Sequence, residues 1–247
     1  MIGIFDSGAG GLSVYREIVK ILPSEKYVYF SDNAHCPYGE KTREYIAERA
    51  IAISEMFLKK GCDVIVVACN TATAAAIKTL RERFPSVPFI GMEPAVRLAA
   101  RVTGSGVVGV LATAGTLKAE KYHNTKEQYA AGITVLEHIG DGFVELVEKG
   151  ITEGPEAENI VRKSLEPLLK AGADTIVLGC THYPFLIAEM KKICGPDVQI
   201  IDPAPAVASH LLDVMVNHGI IRRDGPEVEL LSSGSPQTLL SLYSTIQ

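Results

Sequence analysis

The sequence predicts an α/β fold of two similar doubly wound lobes, related by a pseudo-twofold axis, with the active site in the cleft between them. Three observations carry that prediction. Short β-rich runs alternate with longer segments of helical periodicity along the chain, a pattern that calls for parallel strands with helices packed on the sheet faces. The block LKKGCDVIVVAC (58–69) recurs without gaps as LKAGADTIVLGC (169–180), with identities at Leu58, Lys59, Gly61, Asp63, Ile65, Val66 and Cys69. More faintly, GIFDS (3–7) returns as GVLAT (109–113). The first lobe is expected over residues 1–92 and 205–247, the second over 93–204.

The elements follow in order. IGIF opens as a strand, residues 11–22 form a helix, and YVYFSD is the second strand. Residues 42–60 set Ile46, Ala50, Ile53 and Phe57 at helical spacing, and Lys59, Lys60 and Gly61 supply a cationic last turn and a C-cap. DVIVVAC, a helix over 72–84, PFIGM and a helix over 94–101 complete the first series. The second runs through GVVGVLAT, a helix near 116–130, ITVLEHI, helices near 142–150 and 155–171, DTIVLGC, a helix near 184–193, and QIIDP. Pro167 should kink or split its helix, since proline lacks a donor and crowds the preceding turn. Beyond Pro203 and Pro205 come another helical stretch, the strand VELLSS, and a short helix from about residue 236.

Composition narrows the function classes. A chain of 247 residues, 47% hydrophobic and 21% charged, holds enough apolar material for one large core or two smaller ones. A net charge of -5 with scattered cations leaves no footprint for nucleic acid, and none is expected as a partner. No apolar run reaches the ~18 residues of a membrane span, and the chain opens directly on a strand, so neither membrane nor export is expected. The five cysteines, Cys36, Cys62, Cys69, Cys180 and Cys194, are odd in number and never form a C-x-x-C pair. Neither a disulfide framework nor a zinc ribbon is suggested, and a reducing cytoplasm is the expected compartment.

A free cysteine is ordinarily a small buried hydrophobe. The repeat gives Cys69 and Cys180 more meaning, because both end a buried strand, where parallel α/β sheets gather loops and helix N-termini around ligands. Lobes facing each other across a cleft would aim both thiols at one point from opposite sides. Inverting a carbon stereocentre by proton transfer needs that pairing, a base on one face and an acid on the other. A thiol titrating near ~8.5 must be lowered to serve, by a helix N-terminus or a cationic histidine. Both cysteines precede helices, and His182, two residues after Cys180, is placed either to shuttle its proton or to form a hydrogen-bonded wall. Asp6 and Ser7 end the first strand, where capping the next helix is the ordinary role. Gly8 and Gly10 fit the first two positions of G-x-G-x-x-G, but the third falls on Ser13, and Asp32 is the sole acidic candidate after the second strand. A tight turn that lifts Asp6 and Ser7 explains the glycines with less machinery.

Together, DSGAGG with Asp6 and Ser7, PYG with Tyr38 and Gly39, CNTAT with Cys69, Asn70 and Thr71, and GCTHYP with Cys180, Thr181 and His182 resemble the glutamate racemase family. Their order and spacing agree, and the resemblance covers nearly the whole chain. It implies racemisation of glutamate, a small-molecule substrate, by two thiols without pyridoxal phosphate or metal. It also implies D-glutamate supply to bacterial peptidoglycan and a homodimer. By the same resemblance Cys69 and Cys180 are the acid/base pair, assisted by Asp6 and His182 respectively. Glu148 in FVELVEKG matches a further acidic position near the site, although a solvated helix carboxylate is its ordinary role. Asn70, Thr71 and Thr181 would hold the α-carboxylate and amino region, and Ser7 with the Tyr38–Gly39 turn the side-chain carboxylate. None of the motifs contains Arg or Lys, so anion binding falls to backbone N–H groups and hydroxyls. Thr116 either touches substrate or serves a helix cap. The stretch GTLKAEKY departs from the smaller residues of the family, which bears on packing or the dimer surface. The chain begins one residue before its first strand, so activation of the kind that depends on an N-terminal extension and a cell-wall precursor is not expected.

Rival readings stay open. Aspartate racemase shares the two-lobed fold, although it tends to carry an acidic residue where this chain has His182. A non-catalytic amino-acid-binding module also has two lobes around a cleft. Asp6, Cys69, Cys180 and His182 have the ligand types of a zinc site. Cys36, Cys62 and Cys194 are expected to be packing residues.

Overall fold

Among the residues described by a computed structural model, 1–93, 95–221, 225 and 227–246, nine strands form two all-parallel sheets. Pro94, where a helix is expected to begin, and Gln247, the expected end of the first lobe, lie outside the described residues. In chain order the first series is β1 (Ile2–Asp6), α1 (Leu12–Ile21), β2 (Lys26–Ser31), α2 (Arg43–Lys59), β3 (Val64–Val67), α3 (Asn70–Arg83) and β4 (Phe89–Gly91). The second is α4 (Val96–Val102), β5 (Val107–Ala112), α5 (Ala114–Leu117), α6 (Glu120–Tyr129), β6 (Thr134–Ile139), α7 (Phe143–Glu148), α8 (Pro155–Lys170), β7 (Thr175–Gly179), α9 (Ile187–Cys194) and β8 (Gln199–Ile201). The chain closes with α10 (Ala204–His218), β9 (Glu227–Ser232) and α11 (Gln237–Thr245). It divides into two compact units, Met1–Met92 with Ala204–Gln247, and Glu93–Pro203.

The first unit has strand order β4-β3-β1-β2-β9 and the second β6-β5-β7-β8. Reversing the second and matching β5 to β1, β6 to β2, β7 to β3 and β8 to β4 gives the same order, with β9 an addition. The repeat therefore extends from sequence to topology. It reaches individual contacts as well: Gly3 is in register with Ile65 and Gly109 with Ile176, the same place in both blocks. A Cβ on Gly3 would lie 2.7 Å from the Phe57 ring, and one on Gly109 would lie 2.9 Å from Leu168, the repeat equivalent of Phe57. In each unit the central strand gives up a side chain so that the helix before the next strand can sit close against the sheet.

Local sequence explains most boundaries. Thr42 caps α2, its hydroxyl accepting the Tyr45 N–H at 3.3 Å, and Gly61 ends it with φ of 83°. Phe57, Ile53, Ala50 and Ile46 of α2 pack with Phe5, Ile65 and Val67 into the core on one face of the first sheet. Strand alternation turns Ile4, Val64 and Val66, also buried, to the opposite face. In the second unit Val108, Val110 and Val177 pack with Val96, Ala99 and Tyr122.

Three expectations need correcting. Pro167 does not split its helix, since α8 runs unbroken from Pro155 to Lys170 and keeps Val161, Leu165 and Leu168 buried. Burial of that apolar stripe outweighs the single lost hydrogen bond. The helix expected near 116–130 is two, because Ala119 turns extended (ψ 136°) between α5 and α6, against its intrinsic propensity. The helix expected near 184–193 begins as a 3-10 turn over Tyr183–Leu186, with Pro184 near its start, and becomes α-helical only at Ile187.

The Gly3 contact yields a stability prediction. Gly3→Ala should lower stability by about 1–3 kcal/mol through overpacking against Phe57, read as a lower urea midpoint at unchanged slope; an unshifted midpoint would show that the close approach is no constraint.

Candidate active site

In the first unit the site grows from the ends of β1 and β3. Cys69 is extended (φ -77°, ψ 124°) and forms the N-cap of α3, its sulfur accepting the Ala72 N–H at 3.4 Å. Sulfur does here what a Ser, Thr, Asn or Asp oxygen usually does, which is why the helix starts at Asn70, two residues before the pattern of apolar residues suggests. The sulfur lies at the positive end of a helix of 14 residues, a position that favours thiolate over thiol. Ser7 Oγ lies 3.7 Å from it. Asp6 is fully buried, and its Oδ2 accepts the N–H groups of Gly8 and Gly11, both at 3.1 Å. Asp6 thus ties down the loop before α1 and does not serve as the helix cap expected of it, since the N-cap is Gly11, with no side-chain cap hydrogen bond. Tyr29 donates to the Gly8 carbonyl at 3.0 Å, and a Cβ on Gly11 would stand 2.6 Å from Asp6 Cβ. Close approach, and not left-handed backbone, is what the loop requires at Gly11. Asn70 follows Cys69, and its side-chain nitrogen is buried with no hydrogen-bond partner among the described residues. Thr71 is buried beside it in sequence.

Tyr38 opens a 3-10 turn, Tyr38–Glu40, after a cis Cys36–Pro37 bond, and Gly39 is half-buried. The Tyr38 hydroxyl is committed to Asp32, donating to Oδ2 at 2.5 Å, so the turn offers other groups its backbone. Arg49 of α2 also grips Asp32, Nε to Oδ2 at 2.9 Å and Nη2 to Oδ1 at 2.7 Å. Burial alone would raise the Asp32 carboxyl, but hydrogen bonds from Arg49, Tyr38 and Ser233 outweigh it and hold the group below its usual range. Burial, then the Asp32 hydrogen bond, push the Tyr38 phenol far up, so it stays a donor.

The second unit builds a different surrounding for its thiol. Cys180 follows β7, but the 3-10 turn after Thr181 and His182 supplies no α-helical N-terminus at the sulfur, contrary to expectation. The sulfur instead lies 3.7 Å from His182 Nδ1, and His182 Nε2 lies 2.7 Å from Glu148 Oε1 at the last residue of α7. An ionised carboxylate only accepts, so Nε2 carries the hydrogen and Nδ1 presents its lone pair to the thiol. A carboxylate, an imidazole and a thiol in line can draw a proton off sulfur and stabilise the imidazolium that results. Thr181 and His182 are both buried. Thr116 is buried too, and it is the capped residue: Thr113 Oγ1 accepts its N–H at 3.3 Å and donates to its hydroxyl at 3.0 Å.

The structure thus gathers Asp6, Ser7, Cys69 and Asn70 in the first unit, and Cys180, His182 and Glu148 in the second. Sequence reasoning missed Arg49 as the partner of Asp32, and Thr113 as the cap. Thr113 had a signal, since it takes the place of Ser7 when GVLAT is set on GIFDS.

Thiol reactivity tests this electrostatic picture. Cys62 and Cys69 are equally buried, at 5% exposure each, but burial pushes Cys62 up to about 11. Burial does the same to Cys194, also up to about 11. With iodoacetamide at pH 8, Cys69 should label at least about tenfold faster than Cys62, followed by mass spectrometry; equal rates would show that the helix N-terminus does not activate Cys69.

The likenesses to known proteins agree with this arrangement. A profile of the Asp/Glu/Hydantoin racemase family matches residues 2–211. The glutamate racemase of Stutzerimonas stutzeri (strain A1501) is 45% identical over 238 residues, 96% of this chain and 90% of that protein. Escherichia coli glutamate racemase in complex with L-glutamate and the activator UDP-MurNAc-ala superposes with a TM-score of 0.88 at 33% identity, over 99% of this chain and 94% of that one. Glutamate racemase from Francisella tularensis subsp. tularensis SCHU S4, in complex with D-glutamate, gives 0.84 at 29% identity, over 99% and 92%. With two like-ordered parallel sheets, a thiol at the equivalent strand end of each, and a family match over most of its length, this chain belongs to the Asp/Glu/Hydantoin racemase family.

Proposed function

We propose that this chain interconverts L-glutamate and D-glutamate, with Cys69 and Cys180 as the acid/base pair at the α-carbon. The observation that carries this reading is that repeat-equivalent thiols each follow a strand end, and each has its own means of managing a proton. One sulfur, as thiolate, removes the α-hydrogen; the charge spreads into the α-carboxylate; the other sulfur, as thiol, delivers a proton to the opposite face. One turnover exchanges the two protonation states, and the reverse reaction restores them. On the Cys69 side the α3 N-terminus holds the negative charge, and on the Cys180 side His182 takes or returns the proton while Glu148 balances the imidazolium.

Substrate recognition follows the same logic. Asn70 Nδ2, a buried donor without a partner among the described residues, fits a carboxylate oxygen, and the buried Thr71 and Thr181 hydroxyls are further candidates for the same carboxylate. An unpaired buried donor is costly, so a ligand that satisfies it gains affinity. Ser7 and the backbone of the Tyr38–Gly39 turn are left for the second carboxylate. The relatives' complexes with L-glutamate and D-glutamate support this choice of substrate. The reading extends to a cytoplasmic homodimer that supplies D-glutamate for peptidoglycan, as the family resemblance implies.

Incubation with either glutamate enantiomer in deuterated water tests the proposal. Each should yield the other, with deuterium at the α-position, and Cys69→Ala or Cys180→Ala should slow this by about 10²–10⁴-fold. Full activity in either variant would sink the two-thiol scheme, and neither exchange nor inversion in the wild type would favour a binding module. Aspartate assayed in parallel separates the rival substrate. Glu148→Gln keeps the contact to His182 without its charge; it should lower kcat about tenfold while KM stays within about twofold, and an unchanged kcat would show that His182 works without its carboxylate.

A further inference from the structure

We propose that Arg49, which belongs to none of the motifs, is a positioning residue for substrate recognition: through Asp32 it fixes the Tyr38–Gly39 turn. The inference rests on the proposed role of that turn with the second carboxylate of glutamate. Asp32 stands immediately after β2, is fully buried, and is tied by its N–H to the Asp6 carbonyl at 2.9 Å. Its side chain is the hub of a network. Arg49 grips both oxygens at 2.7 and 2.9 Å, Tyr38 donates to Oδ2, Ser233 adds a hydrogen bond, and His35 Nε2 lies 3.9 Å from Oδ1. His35 is held in turn by Tyr45, hydroxyl to Nδ1 at 2.5 Å.

Geometry makes Arg49 the element on which this network depends. A buried carboxylate without a cation is costly enough to take up a proton or draw in water. A bidentate guanidinium supplies the charge and fixes the plane of the carboxylate, which a single-point cation cannot do. With the plane fixed, Oδ2 lies where the Tyr38 hydroxyl must meet it, and Tyr38 is the first residue of the turn. Arg49 itself projects from the second turn of α2 with its side chain 28% exposed, so it acts at one remove. Tyr38 shares its core with Cys69, but the Cys69 sulfur is positioned by the Ala72 N–H and lies against Ser7, both outside the turn, so loosening the turn should weaken substrate binding more than proton transfer.

The test is a double-mutant cycle on KM, with kcat and the melting temperature measured alongside. Arg49→Gln should raise KM for glutamate about tenfold with kcat within about twofold. Arg49→Lys, which keeps charge and loses the fork, should fall between Gln and wild type, and it carries the test if Arg49→Gln does not fold. Tyr38→Phe should also raise KM, and the double variant Arg49→Gln/Tyr38→Phe should do little more than the larger single effect, since both act through one path. An unchanged KM in both Arg49 variants would overturn the inference, as would single effects that multiply in the double variant. A wild type that fails to racemise glutamate would instead remove the functional reading, so the two failures are distinguishable.

Discussion

A parallel strand that ends where a helix begins is the constraint on which the rest of this molecule depends. All nine described strands are parallel, so within each sheet their carboxyl ends share one edge, and the residues just past β1, β3 and β7 are Ser7, Ala68 with Cys69, and Cys180. Burial along Val64–Val67 and Thr175–Ile176–Val177–Leu178 fixes the register, and the register fixes where each thiol emerges. Gly3 and Gly109 serve the same end from below, letting Phe57 and Leu168 draw their helices against the sheets. A shift of one residue in β3 or β7 would turn every side chain to the other face and carry the sulfur away from the strand end.

Within that shared frame the two thiols meet different physics. Cys69 faces a fixed dipole, whose support for negative charge does not depend on any proton. Cys180 faces His182, whose support depends on which ring nitrogen holds a proton and on the carboxylate of Glu148 behind it. A fixed field suits a sulfur that holds a charge, and a titratable relay suits one that trades a proton. Under the proposed two-thiol scheme a reversible racemisation asks both to do both, so the asymmetry would bear on the relative rates of the two directions.

The strands and most helices were legible in the sequence because their signals are local: β-branched runs, the spacing of Ile46, Ala50, Ile53 and Phe57, and a C-cap at Gly61. Cys69 as a cap was not, since sulfur is absent from the usual N-cap residues, and the helix starts two residues before its apolar pattern does. The break at Ala119 and the intact helix through Pro167 were hidden because tertiary packing overrode propensity in opposite senses. The repeat made Cys69 and Cys180 stand out, and the motif resemblance named their neighbours. The Arg49–Asp32–Tyr38 network lay beyond reach, because a strand end, a turn and a helix face meet there through contacts that no periodicity encodes.

The central proposal is that Cys69 and Cys180 both act on one glutamate. A crystal structure of the full chain with bound glutamate measures this directly: both sulfurs should stand about 3.5 Å from the α-carbon, a near-attack separation, on opposite faces. Either sulfur beyond that reach, or both on one face, would contradict it.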